Sequence, residues 1–219
     1  MVTIDLPIYK HHALIVGNGE IFPGITASLP GHPDLILAAD GGAENALALG
    51  FQPSLVIGDL DSIKPETIST LQSRGVVIRH EPSQAENDLE KCVRYAVRSG
   101  FRDLTLIGFT GRRDDQTMAT LSVCKKFQRQ ARFQIFTGRA NTFILPAGSY
   151  ALNCHVGETI SLFGFPVVKG ISAQGLQFSL QNEKLGPGSY GVSNRATDSK
   201  VYITWQSGTL LIYQIFKQA

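Results

Sequence analysis

Short apolar runs alternate with amphipathic stretches through the N-terminal part of the chain. Apolar runs this short, closed by glycine or an acidic residue, are typical of buried strands. The stretches between them place apolar side chains three and four positions apart, and those at 43–50 and 88–100 end at a glycine, which predicts helices. This alternation predicts an α/β domain with a doubly wound, mostly parallel sheet. The predicted strands are 13–16, 35–39, 55–58, 76–78, 104–107 and 132–137.

The pattern changes near residue 140. Helical stripes give way to short or alternating apolar runs separated by Gly, Pro, Asn and Ser, which predicts a small all-β sandwich. We therefore expect two domains, 1–139 and 140–219. A sandwich of about 80 residues buries little apolar surface, so we expect it to pack against the first domain or a second copy. The apolar runs are 142–145, 159–163, 175–180, 201–205 and 209–215.

Composition narrows the possible partners. The 219 residues are 43% hydrophobic and 17% charged, and the formal net charge is +2. A charge this small does not predict nucleic-acid or membrane binding. No apolar run reaches the roughly 20 residues of a membrane span, and the first residues lack the apolar core of a signal peptide, so we expect a cytoplasmic protein. The three cysteines are far apart, which predicts buried small residues rather than a disulfide or zinc site.

The segment 55–62, LVIGDLDS, carries the strongest chemical signal. Its apolar strand ends at Gly58, and Asp59 and Asp61 follow one residue apart. Two carboxylates so close repel each other unless a hard cation such as Mg²⁺ lies between them. The alternative is that both are ordinary turn and helix-start residues, because Asp favours such positions.

Other polar side chains follow neighbouring strands. Ligands of doubly wound sheets bind outside the carboxyl ends of the strands, and these side chains belong to that rim. Acidic groups with a few basic ones there predict a magnesium–nucleotide site. Helix capping, the helix dipole and intrahelical ion pairing are the alternative explanations for several of them. The residues are Asp40, Asp59, Asp61, Asp88, Arg113 and Asp115. Lys91 stands one turn after Asp88 in the same predicted helix, and Gln84 lies in the loop before that helix.

Six motifs occur in an order and spacing that resemble the thiamin pyrophosphokinase family. Each is weak singly, whereas their succession is specific and covers most of the chain. The family resemblance implies an enzyme that transfers the terminal diphosphate of ATP to the hydroxyl of thiamin, giving thiamin diphosphate and AMP. The motifs are ADGGA (39–43), GDLDS (58–62), QAENDLEKC (84–92), GRRDDQ (111–116), GLQFSL (175–180) and GVSN (191–194).

The resemblance also implies roles for individual residues. The catalytic and Mg²⁺-binding acids correspond to Asp59, Asp61 and Asp88. The ATP-binding residues correspond to Asp40, Lys91, Arg113, Asp115 and Gln116. The thiamin-binding residues correspond to Gln84, Phe178, Ser193 and Asn194. The family is a homodimer in which the sandwich of one subunit helps to cover the thiamin site of the other, so domain 140–219 would bind thiamin and dimerise.

The chain departs from the family pattern at three positions. Many bacterial members have histidine and asparagine where this chain has Gln116 and Thr120, and the stacking aromatic, often tryptophan, is Phe178 here. Two alternative functions remain open: another Mg²⁺–ATP-dependent phosphotransferase or pyrophosphotransferase, and a non-catalytic nucleotide- or thiamin-binding protein. The chain has neither a GxxxxGK[ST] loop nor the protein-kinase signature.

Overall fold

The computed structural model describes residues 11–22, 24–137 and 139–216. The chain divides into two compact units, and of the described residues the first unit contains 11–22 and 24–137 and the second contains 139–216. Within the described ranges, no helix is long and apolar enough to cross a membrane. Cys92, Cys124 and Cys154 are free and buried, as predicted, and burial raises the pKa of each thiol.

The first unit alternates strands with helices. The strands are β1 His12–Val16, β2 Leu35–Ala39, β3 Leu55–Gly58, β4 Val77–His80, β5 Asp103–Ile107 and β6 Arg132–Phe136. The helices are α1 Gly42–Ala48, α2 Pro65–Ser73, α3 Asp88–Arg98 and α4 Asp114–Phe127, and a short 3₁₀ helix spans Ile25–Ser28. The strands form a parallel sheet in the order β6-β5-β1-β2-β3-β4. Helix α1 packs against β1 and β2, α3 against β1, β2 and β3, and α2 against β4. The predicted doubly wound α/β fold is therefore confirmed, with strand ends shifted by at most two residues.

The register of the sheet brings four loops to one rim. Val16 pairs with Ala38 on one side and Ile107 on the other, and Ala39 pairs with Ile57. The loops after β1, β2, β3 and β5 therefore begin side by side. Strand order reverses between β1 and β5, and this is where doubly wound sheets bind ligands.

The second unit is the predicted β-sandwich, and two long strands run through it. The strands are β7 Ala140–Asn153, β8 Thr159–Gly164, β9 Val168–Gln174, β10 Leu180–Leu185, β11 Asn194–Arg195 and β12 Lys200–Ile215. Strand β12 pairs with β7 on both sides of a bulge, with β9 along its first half and with β8 along its second half. The bulge lies between Trp205 and Thr209, where the register shifts and Gly208 has φ +94°. The core of this unit includes Phe143, Leu145, Ile160, Leu162, Ile171, Val201, Trp205 and Ile212.

Two strand predictions in this unit were wrong. The runs 201–205 and 209–215 form one strand rather than two, because a bulge keeps both segments paired with β7. The run 175–180 is mostly a connection between β9 and β10. Gly175 has φ +81°, which ends the extended conformation, and Phe178 faces solvent.

Candidate active site

Asp40 directly follows β2 and carries a buried carboxyl, since the residue is only 4% exposed. Its φ of +46° places it in the left-handed region, which Asp tolerates better than most residues. Its backbone N–H donates to Ile57 O (2.9 Å), and its Oδ2 accepts a hydrogen bond from Ser62 N (3.0 Å). The other oxygen, Oδ1, is buried and accepts no hydrogen bond from any residue that the structure describes.

The surroundings of Asp40 oppose its negative charge. Burial raises the pKa of this carboxyl most, and the negative charges of Asp88 and Asp61 raise it further. Gly58 allows this packing, because a Cβ at residue 58 would lie 2.7 Å from the Asp40 Cβ. The site thus holds a buried acid whose second oxygen is free to bind a cation or a proton.

Asp59 and Asp61 flank Leu60, whose φ of +63° is unusual for a leucine. Asp59 Oδ2 accepts a hydrogen bond from Gln84 Nε2 (3.0 Å), and this bond lowers the pKa of Asp59. Asp61 is exposed, and its Oδ1 accepts from Ser62 Oγ (2.8 Å). The two neighbouring acids therefore have different partners.

Asp88 opens α3, directly after the Asn87 cap, whose side chain accepts from Glu90 N (2.9 Å). Lys91 Nζ donates to Asp88 Oδ1 (2.9 Å) and to Glu81 O (2.8 Å), and the Lys91 side chain is only 3% exposed. A buried ammonium is stable only when its protons are bonded. Lys91 is therefore the counter-ion of Asp88 and ties α3 to the end of β4.

Asp40, Asp59 and Asp88 converge. Each offers a carboxylate oxygen, and the three oxygens lie within 4.8 Å of one another. Three carboxylates with one unbonded buried oxygen suit a hard divalent cation such as Mg²⁺, which takes oxygen ligands and keeps waters for a phosphorylated substrate. Of the predicted metal-binding acids, Asp59 and Asp88 belong to this trio, and Asp61 lies beside it.

Arg113 and Asp115 stand at the start of α4. Arg113 Nε donates to Asp115 Oδ1 (3.0 Å) and its second terminal nitrogen donates to Asp115 Oδ2 (2.5 Å). This pairing raises the pKa of Arg113 and lowers that of Asp115. Both side chains are exposed, so the guanidinium can exchange this carboxylate for a phosphate at little cost.

The loop after β1 closes the site on the side of β5. Gly17 N donates to Ile107 O (2.8 Å), and Gly19 N donates to Gly108 O (2.7 Å). Asn45 Nδ2 bonds the carbonyls of both glycines, at 2.8 and 3.0 Å. Sequence reasoning missed Asn45, because an asparagine inside a short helix gives no signal of what it bonds.

These loops enclose a cavity of about 430 Å³ in the first unit. Most of the predicted residues of this unit line it, namely Asp40, Asp59, Gln84, Asp88, Lys91, Arg113 and Gln116. The predicted residues Asp61 and Asp115 do not line it. Sequence reasoning had assigned no role here to the further lining residues Asn18, Ser62, Glu86, Phe109 and Thr110. Asn18 stands between two glycines, which was the one available signal.

In the second unit, Asn194 holds Phe178 in place. The Asn194 side chain is buried, accepts from Phe178 N (3.0 Å) and donates to Phe178 O (2.6 Å). Ser193 has φ +58°, and its N–H donates to Ser161 Oγ (3.0 Å). The Phe178 ring is 65% exposed. The three predicted thiamin-side residues thus form one local structure with an exposed aromatic ring at its tip.

Comparison with known proteins identifies the family. Residues 27–137, half of the chain, match the family model described as the thiamin pyrophosphokinase catalytic domain. The chain belongs to the thiamin pyrophosphokinase family. The resemblance found in the sequence motifs is thereby confirmed.

Relatives of this thiamin pyrophosphokinase family member extend the match. The chain is 26% identical over 199 residues to Thiamine pyrophosphokinase 1 of Oryza sativa subsp. japonica, covering 84% of this chain and 73% of the relative. Thiamine pyrophosphokinase 3 of the same plant is 25% identical over 215 residues, covering 91% and 75%.

Solved structures share the fold. The thiamine pyrophosphokinase of Bacillus subtilis superposes with a TM-score of 0.83 at 19% identity, covering 94% of this chain and 100% of that one. The thiamin pyrophosphokinase of Candida albicans gives a TM-score of 0.77 at 18% identity, covering 94% and 89%. At these identities the likeness concerns the fold, and it confirms the predicted α/β and β-sandwich architecture.

Proposed function

We propose that this protein transfers the diphosphate of ATP to the hydroxyl of thiamin, producing thiamin diphosphate and AMP. The observation that carries the proposal is the convergence of Asp40, Asp59 and Asp88 at the carboxyl ends of the strands. The same cavity presents Lys91 and Arg113 as cationic groups. Carboxylates beside cations at this rim suit a magnesium-bound polyphosphate, and family membership specifies which one.

Mg²⁺ fits the acidic trio by donor type and by the unbonded Oδ1 of Asp40. Asp40, Asp59 and Asp88 would hold it, with Asp61 beside them. Bound there, Mg²⁺ would neutralise phosphate charge and orient the reacting groups. Asp40 is thereby added to the metal-binding acids that the sequence predicted.

The chain's own residues position the two substrates. The thiamin hydroxyl oxygen forms a bond to the β phosphorus of ATP, and the bond from that phosphorus to the α–β bridging oxygen breaks, so its electron pair leaves with AMP. A carboxylate of Asp59, Asp61 or Asp88 accepts the hydroxyl proton. Arg113 binds phosphate oxygens, and Asp115 and Gln116 would be the other residues that bind ATP.

In this proposal, residues from two subunits of a homodimer bind thiamin. Gln84 would contact the aminopyrimidine, and Phe178 would stack on a flat ring of thiamin. Asn194 holds Phe178 and Ser193 precedes Asn194 in the chain, and all three would act across the interface of a homodimer. The cytoplasmic location remains a prediction from the sequence.

The dependence of AMP release on cation and alcohol tests the proposal. Purified protein with ATP and Mg²⁺ should release AMP when thiamin is added, and EDTA should abolish the release. A panel of other alcohols should give little AMP. If a different alcohol drives AMP release better than thiamin, the protein is another pyrophosphotransferase. If thiamin or ATP binds tightly and no AMP forms, the protein is a binding protein and the proposal is wrong.

A further inference from the structure

The loop between β4 and α3, residues 81–87, carries Gln84 to Asp59 but has little apolar anchoring. Residues 82–85 are all exposed. Gln84 bonds Asp59 Oδ2 at 3.0 Å from the middle of this exposed stretch. A bond made from such a loop is reliable only if the two ends of the loop are fixed, because an exposed segment otherwise samples many conformations.

Arg94 lies in the middle of α3, and its planar guanidinium fixes both ends of the loop 81–87. Its terminal nitrogen donates to Glu81 Oε2 (2.8 Å), and its Nε donates to Glu86 Oε2 (2.9 Å). The Arg94 side chain is 26% exposed, so water screens these pairs less than it screens pairs on the open surface. Glu81 and Glu86 lie on either side of Gln84, so the guanidinium bridges the base of the loop.

A second cationic side chain lies near Glu86, one of the two glutamates that Arg94 bonds. Lys126 of α4 pairs with Glu90 and lies 3.9 Å from Glu86 Oε1. Glu86 thus has a cation on each oxygen and lines the cavity, whereas Arg94 is not among the residues that line it. Arg94 therefore reaches the site only through the loop that it holds.

We propose that Arg94 is a positioning residue for the thiamin side of the active site, acting through the loop that places Gln84 on Asp59. The proposal rests on the proposed function for its kinetic consequence, but the position of Gln84 is a property of the free protein. A lysine at position 94 could not replace the guanidinium, because an ammonium lacks the planar fork that reaches two carboxylates in fixed directions.

Steady-state kinetics of Arg94→Met test the proposal, with Arg98→Met as the matched control. Arg98 is an exposed arginine in the last turn of the same helix. Arg94→Met should raise the KM for thiamin about tenfold and change the KM for ATP by less than about twofold. Arg94→Lys should lie between Arg94→Met and the wild type, and Arg98→Met should match the wild type.

A double-mutant cycle separates positioning from general destabilisation. If Arg94 acts through Gln84, then Arg94→Met should add little to the thiamin KM of Gln84→Ala. Independent effects that multiply in the double variant would overturn the proposal. So would an equal rise of both KM values in Arg94→Met.

A measurement that needs no activity completes the test. The side-chain amide resonance of Gln84 is assigned by its absence in Gln84→Ala. In Arg94→Met its chemical shift should move towards that of a glutamine amide without a protein partner, and in Arg98→Met it should stay unchanged. If the wild type releases no AMP, the proposed function has failed and this resonance alone decides the role of Arg94. An unchanged Gln84 resonance in a folded Arg94→Met protein contradicts the proposal in either case.

Discussion

The fold opposes the negative charge of Asp40. Burial and the nearby charges of Asp88 and Asp61 all raise its pKa above the ordinary value of about 3.9. A carboxyl with a raised pKa in the folded protein binds its proton more tightly there than in the unfolded chain. The folded state therefore loses stability, relative to a neutral side chain at residue 40, as the pH rises through the raised pKa.

Asp40→Asn should consequently raise the thermal unfolding midpoint in EDTA at neutral pH. Asparagine tolerates the positive φ of residue 40 and its carbonyl can keep the bond from Ser62 N. The gain should shrink as the pH falls towards about 4, where the unfolded-state carboxyl is also protonated. Thermal scans of both proteins from acid to neutral pH measure it.

Mg²⁺ supplies the control for Asp40→Asn. The cation should raise the unfolding midpoint of the wild type more than that of the variant, because it offsets the negative charge that the variant lacks. A variant that is less stable than the wild type at every pH in EDTA would contradict the account of Asp40.

Asp61→Asn should lower turnover by orders of magnitude and leave the unfolding midpoint nearly unchanged. Asp61 is exposed, so its loss leaves no buried group unpaired, while its charge lies next to Asp40. Turnover and thermal unfolding measured on one preparation decide this. Wild-type activity in Asp61→Asn would mean that Asp61 takes no part in the reaction, and the acidic site would then consist of Asp40, Asp59 and Asp88.

At the scale of single residues, the sequence was a good guide to the rim but not to contacts within it. Asp40, Asp59 and Asp88 each follow a predicted strand or open a predicted helix, so their shared edge was predictable. The pairing of Asp59 with Gln84 depends on the positive φ of Leu60 and on a loop held by Arg94. Neither feature can be predicted from the spacing of apolar residues.

At the scale of elements, the connection 175–179 shows how a loop can be held by one side chain. Asn194 satisfies both backbone polar groups of Phe178, and it is buried. The sequence predicted a strand here because Leu176, Phe178 and Leu180 form an alternating apolar run. Strand β9 ends instead at Gln174, Gly175 has φ +81°, and Phe178 is exposed.

Asn194→Ala should destabilise the protein by about 1–3 kcal/mol, because it leaves the N–H and C=O of Phe178 without their partner. It should also raise the KM for thiamin, since Phe178 is no longer held. Chemical unfolding and steady-state kinetics measure the two effects. Gln181→Ala, an exposed side chain on β10, is the control and should change neither. If Asn194→Ala has the same thiamin KM as the wild type, Phe178 does not contact thiamin.

Most elements of the first unit were predictable because each buried strand is a short apolar run closed by a glycine or an acid. The second unit was less predictable. Strand β12 pairs with β9 along its first half and with β8 along its second half, and the apolar pattern does not show where this change occurs. Strand β9 mixes Lys, Gly and Gln with its buried residues, so its period of two was hidden.

At the scale of the whole molecule, the proposed homodimer builds each active site from two chains. An Asp59→Asn chain and a Phe178→Ala chain should then be nearly inactive alone and active together. Random pairing on co-expression gives half heterodimers with one intact site each, so about a quarter of wild-type activity should return. Activity no higher than the sum of the two separate variants would place both residues in one subunit or exclude the dimer.

The identity of the products tests diphosphate transfer most directly. ³¹P NMR would monitor ATP, thiamin and Mg²⁺ incubated with the wild type and, separately, with Asp59→Asn. The wild type should form AMP and thiamin diphosphate in equal amounts. Asp59→Asn should be slower by at least about a hundredfold, because one carboxylate of the trio is lost. ADP with thiamin monophosphate, or undiminished turnover in Asp59→Asn, would contradict diphosphate transfer at this site.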